Sequence, residues 1–385
     1  MAENPFFHRP QYANDLAQQL LKPTALQLQV RSGVFLSGIR RIGKTTFLRQ
    51  DLIPALESMQ ALVIYVDLWA DRSKSPALLV HEAVKSTLSE LASPGTKLLE
   101  RFKGLNVGAA GFSFGFQLDS VGKPGGATLS EVFTELVDKV STNVVLILDE
   151  VQQALGTEDG NNLLFALKAA RDAVNTRPGT PGYLLFLGTG SHKSLVADMA
   201  TRRSQPFAGA VATEYEPLGA EFVRWKHEQL QPLKGIKLPS QELMYQGFLA
   251  IGQRPEELQN ALVLLQSRPE DPDMAFPIIC TTLAASAAEV EIATVESMGA
   301  LASAIFDRVA HGNESGESGL FSADAIQQYG TQIGISVDTT QVQNMMDRMI
   351  TANLIHRRSH GVYAIADPFV RQAWQQRKAM QLPSR

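Results

Sequence analysis

The chain has 385 residues, 44% of them hydrophobic and 19% charged, a globular composition that excludes a largely disordered protein. A net charge of -4 excludes a protein that coats nucleic acid over its whole surface and leaves only local contact open. The single cysteine, Cys280, excludes an internal disulfide and a cysteine-based zinc site.

The opening residues MAENPFFHRPQ lack the basic-then-apolar order of a signal segment. The longest apolar stretch, Ala275 to Ala288, is interrupted by Pro277, Thr281, Thr282 and Ser286 and falls short of the ~20 apolar residues of a spanning helix. A cytoplasmic protein without membrane contact is expected.

Val34-Phe35-Leu36 reads as a first strand and Thr45 to Leu56 as a helix. Ala61 to Val66, closed by Asp67, is a second strand, and Pro76 to Leu91 has helical periodicity. The segment from Gly104 to Gly126 is glycine-rich, and its Gly111-Phe-Ser-Phe-Gly-Phe116 alternation predicts a short strand or hairpin. Val144 to Leu148 is a third strand, followed by a helix over Leu163 to Val174, and Tyr183 to Leu187 is a fourth strand. Continuous apolar strands alternating with helices indicate a parallel sheet covered on both faces.

Beyond Glu221 strand signals fade. Glu221 to Leu230 and Arg254 to Leu265 read as helices, with Pro239 and Pro255 near helix starts, and the proline-rich Ser267 to Pro277 as a linker. Leu301 to Ala310 is helical and His311 to Gly319 a polar loop. Ser322 caps a short helix, and Asp338 or Thr339 caps a longer one with Val342, Met345, Met346, Met349 and Ile350 at helical spacing. Leu354 to Arg358 and Val362 to Ile365 then form a hairpin across Ser-His-Gly, and Pro368 opens a last helix. Three helices and a hairpin are the order of a winged helix. The expected domains are 1–220, an α/β core; 221–300, helical; and 301–385, the winged helix.

One motif carries chemistry. Gly38-Ile39-Arg40-Arg41-Ile42-Gly43-Lys44-Thr45 fits G-x-x-x-x-G-K-[ST] between a predicted strand and a predicted helix. Its glycines let backbone N–H groups turn toward phosphate oxygens, and the helix dipole adds to them. The segment from Gly38 to Thr46 is the expected phosphate cradle. Lys44 neutralises β- and γ-phosphate charge, and Thr45 offers a hydroxyl to Mg2+. Asp149, ending the third strand, is the expected metal carboxylate, and Glu150 beside it the general base. At the end of the fourth strand, in Phe186-Leu-Gly-Thr189-Gly-Ser191, a polar side chain beside Glu150 senses the γ-phosphate; Thr189 is the first candidate and Ser191 the second, with helix capping by Ser191 an equal alternative. Arg202 and Arg203 read as ordinary exposed arginines, unless a homo-oligomer brings one of them to a phosphate in a neighbouring subunit. The seven histidines show no metal-ligand spacing, His192 reads as a helix-start residue, and no G-x-S-x-G occurs.

The stretches G-I-R-R-I-G-K-T-T, L-I-L-D-E-V-Q and F-L-G-T-G-S, then Pro206-Phe207 and Glu216-Pro217-Leu218, resemble the archaeal-type P-loop ATPases, close to the STAND and AAA+ NTPases. Gly252-Gln-Arg254-Pro255 is similar to the G-x-P of their helical lid with one extra residue, and Val362-Tyr-Ala-Ile-Ala-Asp-Pro-Phe to the end of their winged helix. The resemblance implies a P-loop NTPase core with strand order 5-1-4-3-2, Thr213 to Glu216 as the fifth strand, and base contact near Phe7-His-Arg9-Pro10. No N-K-x-D guanine reader is present, so ATP and Mg2+ are the expected ligands.

The partner has two readings. From Asn353 onward, Arg357, Arg358, Arg371, Arg377, Lys378 and Arg385 against Asp367 give +5, leaving -9 for the rest. The recognition helix, Thr339 to Ala352, carries only Asp347 and Arg348, although Gln341, Gln343 and Asn344 suit base edges. The wing, with His356, Arg357, Arg358 and His360, suits phosphates. An ATP-operated switch docking on a protein and a DNA-associated ATPase are both open.

Overall fold

The computed structural model describes residues 6–102, 111–123, 125–155, 157–313, 316–359 and 361–381. Residues 104–110 and 124 of the glycine-rich segment, His360 of the wing and Arg385 lie outside them. The described chain forms two compact units. One gathers residues up to 38, 44–191 and 195–215; the other gathers 39–43, 192–194 and 216 onward.

The first unit is built on a five-stranded parallel sheet in the order β2-β3-β4-β1-β5, the expected 5-1-4-3-2 read from the other edge. Its strands are β1 (Val34–Ser37), β2 (Leu62–Asp67), β3 (Val144–Asp149), β4 (Leu184–Gly190) and β5 (Val211–Glu214). Every residue of β3 and β4 is buried, which explains why they read as unbroken apolar runs rather than alternating ones. Leu146, Leu148 and Phe186 join a core with α4 (Pro76–Ala92), α6 (Leu129–Val140) and α7 (Glu158–Asn175). Val145, Ile147, Leu185 and Leu187 alternate with them and are equally buried on the opposite face.

The remaining helices of this unit are α1 (Pro10–Leu21), α2 (Lys44–Phe47), α3 (Ile53–Ser58), α5 (Lys97–Phe102) and, from Leu195 on, α8 (Lys193–Thr201), with a π turn at Leu48–Leu52 between α2 and α3. Helix α6 escapes the apolar-run reading, yet it carries a capping box. Thr128 Oγ1 accepts from Glu131 N at 3.2 Å, and Glu131 Oε2 accepts from Thr128 N at 2.8 Å.

Three expectations in this unit are corrected. Residues 111–116 form no strand; Phe112, Phe114 and Phe116 pack partly buried against the core, so their alternation reflects burial of three rings and not a ladder. Strand β4 runs to Gly190 and so takes in Thr189, while β5 ends at Glu214, two residues early, because it pairs with β1 from Val34↔Val211 to Ser37↔Glu214.

The second unit contains α9 (Ala220–Leu230), α10 (Gln241–Ala250), α11 (Pro255–Gln266), α12 (Pro272–Ser297), α13 (Ala300–His311), α14 (Ala323–Ile333), α15 (Thr339–Thr351) and α16 (Pro368–Gln381). It also contains a small antiparallel sheet, β6 (Glu317–Ser318), β7 (Ile355–Ser359) and β8 (Val362–Ile365), in the order β6-β8-β7. Helices α13 to α15, this sheet and α16 make the winged helix. The expected linker is the start of α12: Pro272 sits in the first turn, where its missing N–H is no loss, and only Pro277 forfeits an internal hydrogen bond. By length and composition alone, this helix of 26 residues also meets the requirement for crossing a membrane, contrary to the reading of its Ala275–Ala288 stretch. Within this unit Phe276, Ile279 and Cys280 are buried, and Ala288, Ile292 and Val295 join the core of the winged helix with Phe306, Met346 and Trp374.

Leu146, fully buried at the centre of β3, tests the core. Leu146→Ala should cost about 2–5 kcal/mol, the transfer of its side chain plus the cavity left behind, read as a lowered denaturant midpoint at unchanged slope.

Candidate nucleotide site

Strand register brings the motif residues to one edge of the sheet. Asp67 of β2 pairs with Asp149 of β3, Leu148 with Gly188 of β4, and Ser37 at the end of β1 with Gly190. The chain then leaves β1 through Gly38 to Gly43 and enters α2 at Lys44. Arg41 (φ 67°) and Gly43 (φ 93°) are left-handed, a turn that glycine makes without strain. Lys44 is buried and donates to its own loop, Nζ to Gly38 O at 2.7 Å.

Asp149, 1% exposed, accepts four hydrogen bonds. Thr45 Oγ1 at 2.7 Å and Tyr65 OH at 2.9 Å donate to Oδ2. Thr189 Oγ1 and, at 3.1 Å, the backbone N of Glu150 donate to Oδ1. Burial, together with the Asp149 carboxylate, pushes the Tyr65 phenol well above its ordinary value, so it stays a donor. Tyr65 was not singled out from sequence; its signal is a hydroxyl-bearing ring two residues before the acid that closes β2.

Glu150 is left-handed (φ 56°). Its carboxylate accepts from Gln152 Nε2 and, at 3.3 Å, from Ser191 Oγ, and Gln152 Nε2 also reaches Ser191 Oγ at 3.2 Å. The side chain beside Glu150 is therefore Ser191, while Thr189 lies on Asp149. Gln152, also not anticipated, is 5% exposed.

The other candidates are placed elsewhere. Arg202, one residue past α8, pairs with Asp198 of that helix at 2.8 Å and is half-exposed. Within the second unit Arg41 pairs with Glu257 at 3.4 Å, and Arg254 pairs with Asp367 beside the Phe369 ring. His192 precedes α8, and burial lowers its pKa. Near the N-terminus His8 Nδ1 meets Asp51 Oδ1 at 2.8 Å, and the Arg9 guanidinium lies 4.5 Å from the Tyr12 ring centroid and 5.4 Å from that of Tyr215.

A five-stranded parallel sheet with this order, a G-x-x-x-x-G-K-T loop entering a helix and a C-terminal winged helix define the fold of the P-loop, Walker-type ATPases. Among solved structures the chain is similar to the Walker-type ATPase PABY2304 of Pyrococcus abyssi, at 20% identity over 96% of each chain with a TM-score of 0.61. It is also similar to the ORC2 protein of Aeropyrum pernix. The ADP form matches at 13% identity over 100% of this chain and 97% of that one, with a TM-score of 0.56. The ADPNP–ADP complexes match at 14% over 98% of each chain, with a TM-score of 0.52. No family profile and no curated protein matches the sequence.

Gly190 tests the packing around Glu150, because a Cβ there would overlap Gln152 Oε1 and stand 2.6 Å from Val196 Cγ2. Gly190→Ala should destabilise the fold by about 1–3 kcal/mol. Gly219→Ala, with open space and an ordinary φ of -113°, should leave the melting temperature unchanged.

Proposed function

We propose that the protein is a Mg2+-dependent ATPase that works as a conformational switch on a protein partner, with residues 221–300 as a helical lid and 301–385 as the winged helix. The observation that carries this reading is the division of two adjacent acids. Asp149 is tied to the Thr45 hydroxyl of the phosphate loop, while Glu150 is held apart by Gln152 and Ser191. One acid serves the metal, and the other is left for water. The nucleotides named with the two similar ORC2 structures support an adenine ligand.

The residues present fit Mg2+. Thr45 spends its proton on Asp149, so its oxygen lone pairs face away, and a hydroxyl with one carboxylate is the sparse oxygen set that Mg2+ takes beside phosphates. Among the described residues no group of three or more His, Cys, Asp and Glu offers a protein-only cage. When bound, the ion neutralises charge on the phosphate oxygens. The backbone from Gly38 to Thr46 and the Lys44 ammonium grip the β- and γ-phosphates, Asp149 orients the ion's site, and Glu150 takes the proton of the attacking water. Thr189 and Ser191 divide the two acids between them.

The winged helix favours the protein partner. Arg371 is spent on the carbonyls of Ala310 and Gly312, Arg377 on Glu289 and Glu296, and Lys378 lies 5.0 Å from the Trp374 ring centroid. Gln341 on the recognition helix caps α15 by accepting from Asp338 N at 3.0 Å. Arg357 and Arg358, on β7, are the wing residues through which DNA contact is tested. Reversing both charges should abolish any DNA retention seen at low salt and leave basal ATPase unchanged; strong salt-sensitive DNA binding by the wild type would favour the DNA-associated reading.

The catalytic assignment is checked on one sample by nucleotide affinity and steady-state hydrolysis. Lys44→Ala should abolish ATP binding. Glu150→Gln should bind ATP normally while turnover falls ~100-fold or more, trapping an ATP-bound form. Asp149→Asn should weaken Mg2+-dependent binding and turnover together. Wild-type hydrolysis by Glu150→Gln would return Glu150 to a structural role.

A further inference from the structure

Three of the four donors to Asp149 belong to motifs that define the site: Thr45, Thr189 and the Glu150 backbone. The fourth does not. Tyr65 lies on β2 opposite Ile147, two residues before Asp67 comes level with Asp149. Its side chain therefore leaves the same face of the sheet as those of the Asp67 and Asp149 pair and reaches Asp149 diagonally across the strands. The alternation of β2, with Tyr65 at a half-buried position between buried Ile64 and Val66, keeps the ring on that side.

Tyr65 is held from behind. The Arg49 guanidinium lies 4.7 Å from the Tyr65 ring centroid, a cation–π contact. Arg49 sits in the π turn Leu48–Leu52, directly after α2, the helix that starts with Lys44 and Thr45. A line of contacts thus runs from the turn after the phosphate-loop helix, through a tyrosine on the neighbouring strand, to the metal carboxylate: Arg49 packs on the Tyr65 ring, and Tyr65 donates to Asp149 Oδ2.

Oδ2 is also the oxygen that receives the Thr45 proton. With Tyr65 in place, one lone pair of Oδ2 is occupied from the side of β2 and the other is left for Thr45. Without it, Oδ2 is held by Thr45 alone, and only the Thr189 and Glu150 N–H bonds to Oδ1 oppose a turn of the carboxylate about its soft terminal torsion. The Thr45 lone pairs then lose their fixed direction. Hydrogen-bond partners of ligating groups set metal affinity in this way, and their loss typically costs 10–100-fold.

We propose that Tyr65, oriented by Arg49, is a positioning residue for the divalent cation, setting how tightly the nucleotide site takes Mg2+ without itself touching the ion or the nucleotide. The inference rests on the Mg2+–ATP reading above and names two residues that the phosphate-site motifs do not contain. Tyr65→Phe keeps the ring and removes only the hydroxyl.

The test is a titration of Mg2+ against binding of a fluorescent ATP analogue, beside a second titration of the same analogue in EDTA. Tyr65→Phe should raise the Mg2+ concentration for half-maximal binding about tenfold and leave the EDTA affinity at the wild-type value. Arg49→Leu should shift the Mg2+ curve the same way, and the double variant should shift it no further than Tyr65→Phe alone, because the two act through one hydroxyl. An unchanged Mg2+ curve for Tyr65→Phe overturns the proposal whatever happens to the melting temperature. An equal loss in EDTA overturns it too, since that loss belongs to the site as a whole. Additive shifts in the double variant remove Arg49 from the mechanism. A wild type that binds no analogue with or without Mg2+ overturns the ATPase reading along with it, whereas a wild type whose binding Lys44→Ala abolishes, but whose Mg2+ curve matches that of Tyr65→Phe, overturns this proposal alone.

Discussion

The carboxylate of Asp149 is the group around which the first unit is arranged. Its residue is 1% exposed, and a charge that far from water is tolerable only when its lone pairs are filled. The donors come from the first turn of α2, from β2, from β4 and from the chain's own turn at Glu150. No one element could supply them. The order of the sheet follows: β3 must lie between β2 and β4, and the phosphate loop must deliver α2 to the same edge. The register that aligns Asp67 with Asp149 is part of the same requirement, since a slip of one residue would turn the Tyr65 side chain to the other face.

The neighbouring acid is handled in the opposite way. Glu150 takes a left-handed conformation, which costs a non-glycine residue roughly 1–2 kcal/mol. That turn breaks the alternation of the strand and sends two consecutive carboxylates to different partners. Asp149 is surrounded by three hydroxyls and an amide N–H, Glu150 by one amide and one hydroxyl. Adjacent like charges are thereby kept from competing for the same donors. The close packing of Gly190 against Gln152 extends the arrangement to the end of β4, so a glycine in that strand serves the acid on the next one.

Much of this was legible in the residues, and the parts that were not have physical reasons. The unbroken apolar runs of β3 and β4 announce a buried parallel sheet, and the phosphate loop announces itself by its glycines, lysine and threonine. The two supporting side chains, Tyr65 and Gln152, could not be read, because a tyrosine in a strand and a glutamine after an acid are ordinary until the fold places a carboxylate within reach. Thr189 was legible as a polar side chain beside the two acids but not as a partner of Asp149 rather than Glu150; that depends on β4 running to Gly190, and strand ends are not marked by periodicity. Helix α12 hid behind its prolines, since Pro272 at a first turn and Pro277 one turn later look like a linker until the rest of the helix is packed. The Phe112, Phe114 and Phe116 alternation misled for the converse reason: burial of rings every second residue needs no neighbouring strand.

The lone cysteine has a practical consequence. Cys280 is fully buried on α12, and burial pushes its thiol up to about 12, so almost none of it is thiolate near neutral pH. In the folded protein it is chemically silent. A cysteine introduced at an exposed position is then the one reactive thiol on the molecule, ready to carry a fluorophore or spin label without first engineering the native one away. Conversely, the slow modification of Cys280 itself counts the moments when α12 lifts from its neighbours, so a thiol reagent becomes a clock for the opening of the helical unit.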